Sequence, residues 1–235
     1  MVFRKLVAKD VALIVSFTAL YVVLSFLPMF QIIGLFGKAI TAATVVAPLI
    51  GIILGVYRGV ISTFFGGVLA LFVNFAFSYT SLLAGIITAL CAGLLYANKR
   101  IACASIYLIL LLFFGFFPSV GPFWLFPFMM WFQIVGFLIL VSPLQSFASK
   151  SFKKHTNRNL LIAFFITSLT STLAGQIAGS LVYELIVAEA NSLKLTWIAL
   201  AFQYPLERTL IAVIVMFTGA PLIKVLRTGN LVRDI

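Results

Sequence analysis

Tyr204-Pro205-Leu206-Glu207-Arg208 lies inside an otherwise apolar run from Trp197 to Leu226, and it is the segment of this chain best equipped for chemistry. A carboxylate and a guanidinium within a membrane-length segment are costly in hydrocarbon, so each needs a partner, a water-filled cavity or a ligand. Such an arginine can fork onto a carboxylate or phosphate, and such a glutamate can take an amine. Pro205 lacks an N–H, so it is expected to kink the helix and free a carbonyl toward the same cavity. Neighbours on a helix project about 100° apart, so Glu207 and Arg208 are not expected to pair as i,i+4 residues do. One of them should meet another helix. Glu184 is the candidate counter-charge for Arg208, with contact to a ligand as the alternative.

The rest of the chain is poor in reactive groups. The acids are Asp10, Glu184, Glu189, Glu207 and Asp234, and no two stand at a metal-binding or paired-carboxylate spacing. The sequence has no Gly-x-Ser-x-Gly elbow and no phosphate-binding glycine loop ending in Gly-Lys-Ser/Thr, which such chemistry would need. The single histidine, His155, falls in the polar stretch from Ser149 to Asn159. Cys91 and Cys103 have no histidine near them in sequence to complete a zinc site. An enzyme is therefore not expected, nor a cofactor or a metal.

Polar side chains within the apolar runs cluster toward one side of the expected membrane: Gln31, Tyr79, Trp124 and Gln203 join the charged pair there. The candidate substrate-binding residues are Asn74, Trp131, Gln133, Gln176, Tyr183, Glu184, Tyr204, Glu207 and Arg208. A polar cavity open to that side would satisfy their donors and acceptors; headgroup contact or interhelical hydrogen bonds are the alternative. Small residues form a second pattern. Ala8, Ala12 and Ser16 recur every fourth position, as do Gly51, Gly55 and Gly59, and Gly175 and Gly179. Such stripes let helix backbones approach closely. Internal packing is the ordinary reading of the glycines, whereas the first stripe could equally face another subunit.

These residues must be positioned by membrane helices. The chain has 235 residues, of which 63% are hydrophobic and 9% charged, with a mean hydropathy of +1.22, far outside the soluble range. Eight apolar stretches are separable: Val11 to Phe30, Ala39 to Tyr57, Gly59 to Ser78, Ser81 to Ala97, Ile101 to Phe117, Phe123 to Ser146, Leu160 to Ala188 and Trp197 to Leu226. With the amino terminus inside, thirteen basic residues fall on inner segments, namely Arg4, Lys5, Lys9, Arg58, Lys99, Arg100, Lys150, Lys153, Lys154, Arg158, Lys224, Arg227 and Arg233. Only Lys38 and Lys194 fall outside. The positive-inside rule therefore predicts eight spans in a single integral membrane domain over residues 1–235, with both termini cytoplasmic. A six-span variant requires the fourth and fifth stretches to form a shallow re-entrant hairpin. The first stretch is too long for a signal-peptide core and is expected to be retained. The net charge of +11 is assigned to topology and to anionic lipid headgroups rather than to nucleic acid.

The expected fold is thus an all-α, polytopic transmembrane helical bundle in the cell membrane. The successive segments VALIVSFTALYVVLSFLP, APLIGIILGVYRGVISTFFGGVLALF, TLAGQIAGSLVYELI and YPLERTLIAVIVMFTGAPLIKVL resemble the substrate-binding membrane components of energy-coupling factor transporters. Members of that family usually have six helices. The resemblance implies capture of a vitamin or other small polar nutrient from outside, with release driven by a transmembrane coupling subunit and two ATPase subunits. It also implies that Ala8, Ala12 and Ser16 form the small-residue face on which the coupling subunit packs, and that the last two spans contribute to the pocket. Two other readings remain open: a non-transporting scaffold subunit, and a stand-alone secondary carrier in which Glu207 would be the proton-coupling acid.

Overall fold

The computed structural model describes residues 8–118, 121–125, 127–153, 157–186 and 190–229. Lys154, His155, Glu189 and Asp234, and the basic residues Arg4, Lys5 and Arg233, lie outside the described residues. Nine helices are described: α1 (Ala8–Ser25), α2 (Ala43–Leu54), α3 (Val56–Val73), α4 (Tyr79–Tyr96), α5 (Arg100–Gly115), α6 (Trp131–Val141), α7 (Pro143–Ser151), α8 (Asn157–Ile186) and α9 (Ala190–Thr228). Two short 3-10 turns precede α6. Between α1 and α2 the chain makes a small antiparallel hairpin of β1 (Pro28–Gln31) and β2 (Ala39–Thr41).

Among the described residues, the eight apolar stretches resolve into five helices long and apolar enough to cross a membrane, α1, α3, α4, α8 and α9, or six if the bent pair α6 and α7 is one span. The second stretch falls short because Ala39–Thr41 is drawn into β2 and the helix stops after Leu54. Gly55 supplies that stop with φ +77°, a conformation open to glycine at little cost. Only 12 residues remain helical in α2, and 16 in α5. The sixth stretch bends by 62° between α6 and α7, where Ser142 caps the new helix by accepting from the Leu144 N–H and Pro143 occupies its first position, the place a helix tolerates proline best.

Burial follows composition. α2 carries apolar side chains all round and is buried along most of its length, as a helix without a polar face must be. α8 is the central post and is buried over most of its membrane-length part, touching α4, α5, α6, α7 and α9. α1 lies at the periphery and buries only Phe17, Tyr21 and Ser25, held to α3 by the Arg58–Asp10 ion pair at 2.7 Å and by Thr18 against Ser62.

Glycine sets the spacing of the inner helices. A Cβ on Gly51 would stand 2.2 Å from the Ala89 carbonyl oxygen, and one on Gly175 would stand 2.4 Å from that of Ala84. Gly59 meets the backbone of Gly51, and Gly93 that of Val56. Gly51, Gly59, Gly175 and Gly179 therefore serve internal packing, joining α2, α3, α4 and α8 backbone to backbone, whereas Gly55, the middle member of the first glycine stripe, meets nothing within 4 Å and only ends α2. The stripe of Ala8, Ala12 and Ser16 differs, because all three residues are exposed on the outer face of α1.

Candidate functional site

Helix faces bring the site together. On α8, Gln176, Ser180 and Tyr183 recur at helical spacing and line one cavity; on α9, Trp197, Tyr204 and Arg208 do the same. The opening turns of α4 supply Thr80, Ala84 and Gly85, and Tyr21 of α1 closes the side. The cavity measures about 60 Å³, room for roughly four water molecules.

Depth within the cavity follows from the antiparallel packing of α8 and α9. Tyr183 and Trp197 meet with ring centroids 5.7 Å apart, while at the far end Phe164 lies against Gly219. Counted up from the Phe164–Gly219 contact, Gln176 is twelve residues above and Arg208 eleven, about 18 and 16 Å along the axes, so the two stand at nearly one level below the Tyr183–Trp197 ring contact.

The β1–β2 hairpin covers the cavity, with Ile32, Ile33 and Ile40 on its lining. Gly34 turns the hairpin at φ +85° and sits so close to Tyr183 that a Cβ would fall 2.0 Å from the phenol oxygen. Lys38 fastens the hairpin to the chain between α3 and α4, donating to the carbonyls of Phe75 (2.5 Å) and Phe77 (3.2 Å) and lying over the Phe75 ring.

Some buried polar atoms at this end have no hydrogen-bond partner among the described residues, namely Gln176 Nε2 and Oε1 and Arg208 Nε, whereas Glu184 faces the Trp197 indole N–H. Gln176 and Arg208 are each 4% exposed. Burying such groups unpaired costs about 1–3 kcal/mol apiece.

The charged groups are arranged otherwise than the sequence suggests. Arg208 does not pair with Glu184; its nearest carboxylate is Glu207, with Nη2 to Oε2 at 3.8 Å. Glu184 lies level with Trp197 at the upper rim, three helical turns above Arg208, too far to reach it. Glu207 is off the cavity lining and is held on its own helix by Gln203, which donates at 2.6 Å. Pro205 does free the Ala201 carbonyl, but that oxygen accepts from Trp131 Nε1 at 2.9 Å on α6 and is not turned to the cavity.

Of the nine candidate binding residues, Gln176, Tyr183, Tyr204 and Arg208 line the cavity, and Glu184 and Glu207 are buried next to it. Asn74, Trp131 and Gln133 are not among its lining residues. Asn74 donates to the Ser25 carbonyl and accepts from the Ala76 N–H, tying α1 to the end of α3. Gln133 is buried where α5 meets α6, its backbone carbonyl accepting from Tyr107. Gln31, Tyr79 and Trp124 are exposed. Tyr21, Phe77 and Trp197 were not among the nine; the signal for Tyr21 was the small residues Gly66 and Gly85, whose missing side chains make room for its ring.

The basic residues gather at the opposite end. Arg58 pairs with Asp10, Arg100 donates to the Leu140 carbonyl and to Ser146, Lys224 to Asn157, and Arg227 to the Phe152 carbonyl. Among the described residues no group of three or more His, Cys, Asp or Glu side chains could hold a metal ion. No protein family, curated protein or solved structure matches this chain.

Proposed function

We propose that this protein is the membrane-embedded substrate-binding component of a nutrient uptake transporter in the cell membrane, of the energy-coupling factor kind that its sequence resembles. It captures a small polar molecule in the cavity between α4, α8 and α9 and relies on separate coupling and ATPase subunits for release. The observation that carries this reading is the cavity beside the β1–β2 hairpin, with Arg208 and the unpartnered Gln176 among its lining residues. Under the positive-inside rule the basic end is cytoplasmic, which puts the cavity on the outer side and both termini inside. The exposed small-residue face of Ala8, Ala12 and Ser16 suits close approach by a partner helix.

A scaffold reading would use the buried charges to staple helices together. The charged contacts of Glu207 and Arg208 stay within α9, which favours the ligand reading. The test is Arg208→Met, with affinity for the molecule that native mass spectrometry finds retained and thermal stability measured on one preparation. A site arginine gives a folded variant that has lost about 2–5 kcal/mol of binding free energy. Unchanged affinity in a well-folded variant removes Arg208 from the site.

A further inference from the structure

The bend between α6 and α7 strands backbone carbonyls, and the way they are satisfied fixes a charge in place. Pro143 has no N–H to offer the Ile139 carbonyl, which accepts instead from the Ser142 hydroxyl and N–H. The Leu144 N–H turns to Ser142 Oγ, so the Leu140 carbonyl loses its helical donor as well. Arg100, the first residue of α5, takes that place. Its Nε donates to the Leu140 carbonyl at 2.8 Å and its Nη1 to Ser146 Oγ at 2.7 Å. The guanidinium carries five N–H donors, so three remain to donate elsewhere.

A second cation stands on the same ridge of α7. Ser146 and Lys150 are i,i+4 neighbours, with Cβ atoms about 5–6 Å apart, a gap that one phosphate group spans. Lys150 is exposed. Among the described residues, Asp10 is paired with Arg58, Glu207 lies beside Arg208 and Glu184 faces Trp197. None of these carboxylates pairs with Arg100 or Lys150.

The helix that carries this ridge is polar inside and apolar outside. α7 buries Gln145, which bonds Thr167 and Thr170 of α8, and Ser149, which donates to the Leu95 carbonyl. Leu144 and Phe147 are exposed. A helix facing water shows the reverse pattern, so the outer face of α7 suits acyl chains. Its 9 residues span about 13 Å. At 62° to α6 they descend only about 6 Å where α6 stands along the membrane normal, a depth that holds α7 at the boundary of acyl chains and headgroups. Leu138 and Val141 on α6 and Ile101 on α5 extend the exposed apolar surface beside Arg100.

We infer that the α6–α7 bend binds one anionic phospholipid, its phosphate held between Arg100 and Lys150 and its acyl chains lying on Leu138, Val141 and Leu144. The leaflet is the one that the basic end faces, cytoplasmic under the positive-inside rule. A choline headgroup brings a third positive charge to the two already there, whereas a glycerol headgroup brings none. The lipid braces the joint of α5, α6 and α7. The site lies apart from the cavity and is independent of what the cavity takes.

The test is native mass spectrometry of the purified full-length protein, titrated in detergent with dioleoyl phosphatidylglycerol or dioleoyl phosphatidylcholine. One tightly retained phosphatidylglycerol is expected, with phosphatidylcholine at least tenfold weaker. General attraction to a basic surface is worth about fivefold per cation and does not distinguish one inner lysine from another. Lys9→Gln on α1, which packs against α2 and α3, is the charge-matched control and should weaken the first phosphatidylglycerol by no more than about fivefold. Lys150→Gln removes an exposed side chain and should weaken it at least tenfold, with the melting temperature of the delipidated protein unchanged. Arg100→Gln should weaken it at least as much, with a lowered melting temperature because the Leu140 carbonyl loses its donor. Equal loss in Lys150→Gln and Lys9→Gln, unchanged retention in Lys150→Gln, or equal affinity for the two lipids would overturn the site.

Discussion

Gly34→Ala tests whether the β1–β2 hairpin is held shut by its fit against Tyr183. An alanine at φ +85° bears a backbone cost of about 1–2 kcal/mol, and its Cβ would stand 2.0 Å from the Tyr183 oxygen. An ordinary contact begins near 3.4 Å, so the hairpin and the Tyr183 side chain must separate by more than an ångström. Removing the hydroxyl with Tyr183→Phe leaves the ring carbon at 3.2 Å and Thr196 Oγ1 at 3.6 Å as the nearest atoms, a tight but tolerable fit. The backbone cost then remains and the displacement is largely relieved. The reporters are the amides of Ile32, Ala39 and Ala42, bonded to the carbonyls of Lys38, Ala76 and Leu27 at 3.0, 3.0 and 2.9 Å. Hydrogen exchange at these amides measures local opening. Strain alone predicts exchange about 5- to 30-fold faster in the double variant, and Gly34→Ala alone should exceed that range. Unchanged exchange in the single variant, or equal exchange in both, would refute the fit of the hairpin onto Tyr183.

Orientation is checked by thiol labelling of intact cells: Phe36→Cys on the hairpin should react from outside and Lys153→Cys only after permeabilisation, the reverse result inverting the topology. Ala12→Trp or Ser16→Trp should leave folding and ligand binding nearly unchanged and block uptake, and normal transport would rule out that face as the coupling surface. Trp131→Phe strands the Ala201 carbonyl that Pro205 has already deprived of its helical donor, at about 1–3 kcal/mol of stability; adding Pro205→Ala restores an N–H and should recover part of the melting temperature, whereas no recovery would mean that the indole acts through packing alone.

The helices were legible because their signals are local and periodic, and Gly51, Gly59 and Gly175 do meet other backbones; the four-residue spacing did not show that Gly55 breaks the helix and sets Gly51 and Gly59 face to face on α2 and α3. The hairpin was not, since β1 and β2 have only four and three residues, too few for alternation to show, although Gly34 and Gly37 mark its turn. Choosing Arg208 as a site residue needed only its cost in hydrocarbon. Its pairing with Glu184 failed because that requires knowing which levels of α8 and α9 face each other, and Tyr183 against Trp197 sets Glu184 near the rim. Asn74 and Trp131 were misread for a shared reason. A polar side chain in an apolar run signals an unmet hydrogen-bond requirement, and here the requirement came from backbone carbonyls, those of Ser25 and Ala201, rather than from a ligand.

Where Gly51, Gly59 and Gly93 join α2, α3 and α4, the nearest atoms are backbone, and at Gly175 on α8 only the short Thr88 side chain of α4 stands beside the Ala84 carbonyl, so sliding one helix along another would drive Cα atoms or carbonyl oxygens into the next residue's Cβ. Such a seam has few small steps available to it. These four helices are therefore expected to move as one stiff piece, carrying the cavity walls on α4 and α8 unchanged. Compliance is left to the hairpin, to peripheral α1 and to the bend between α6 and α7. A transport cycle built on this chain would have to tilt the stiff piece whole or open its cover, because it cannot breathe through the middle.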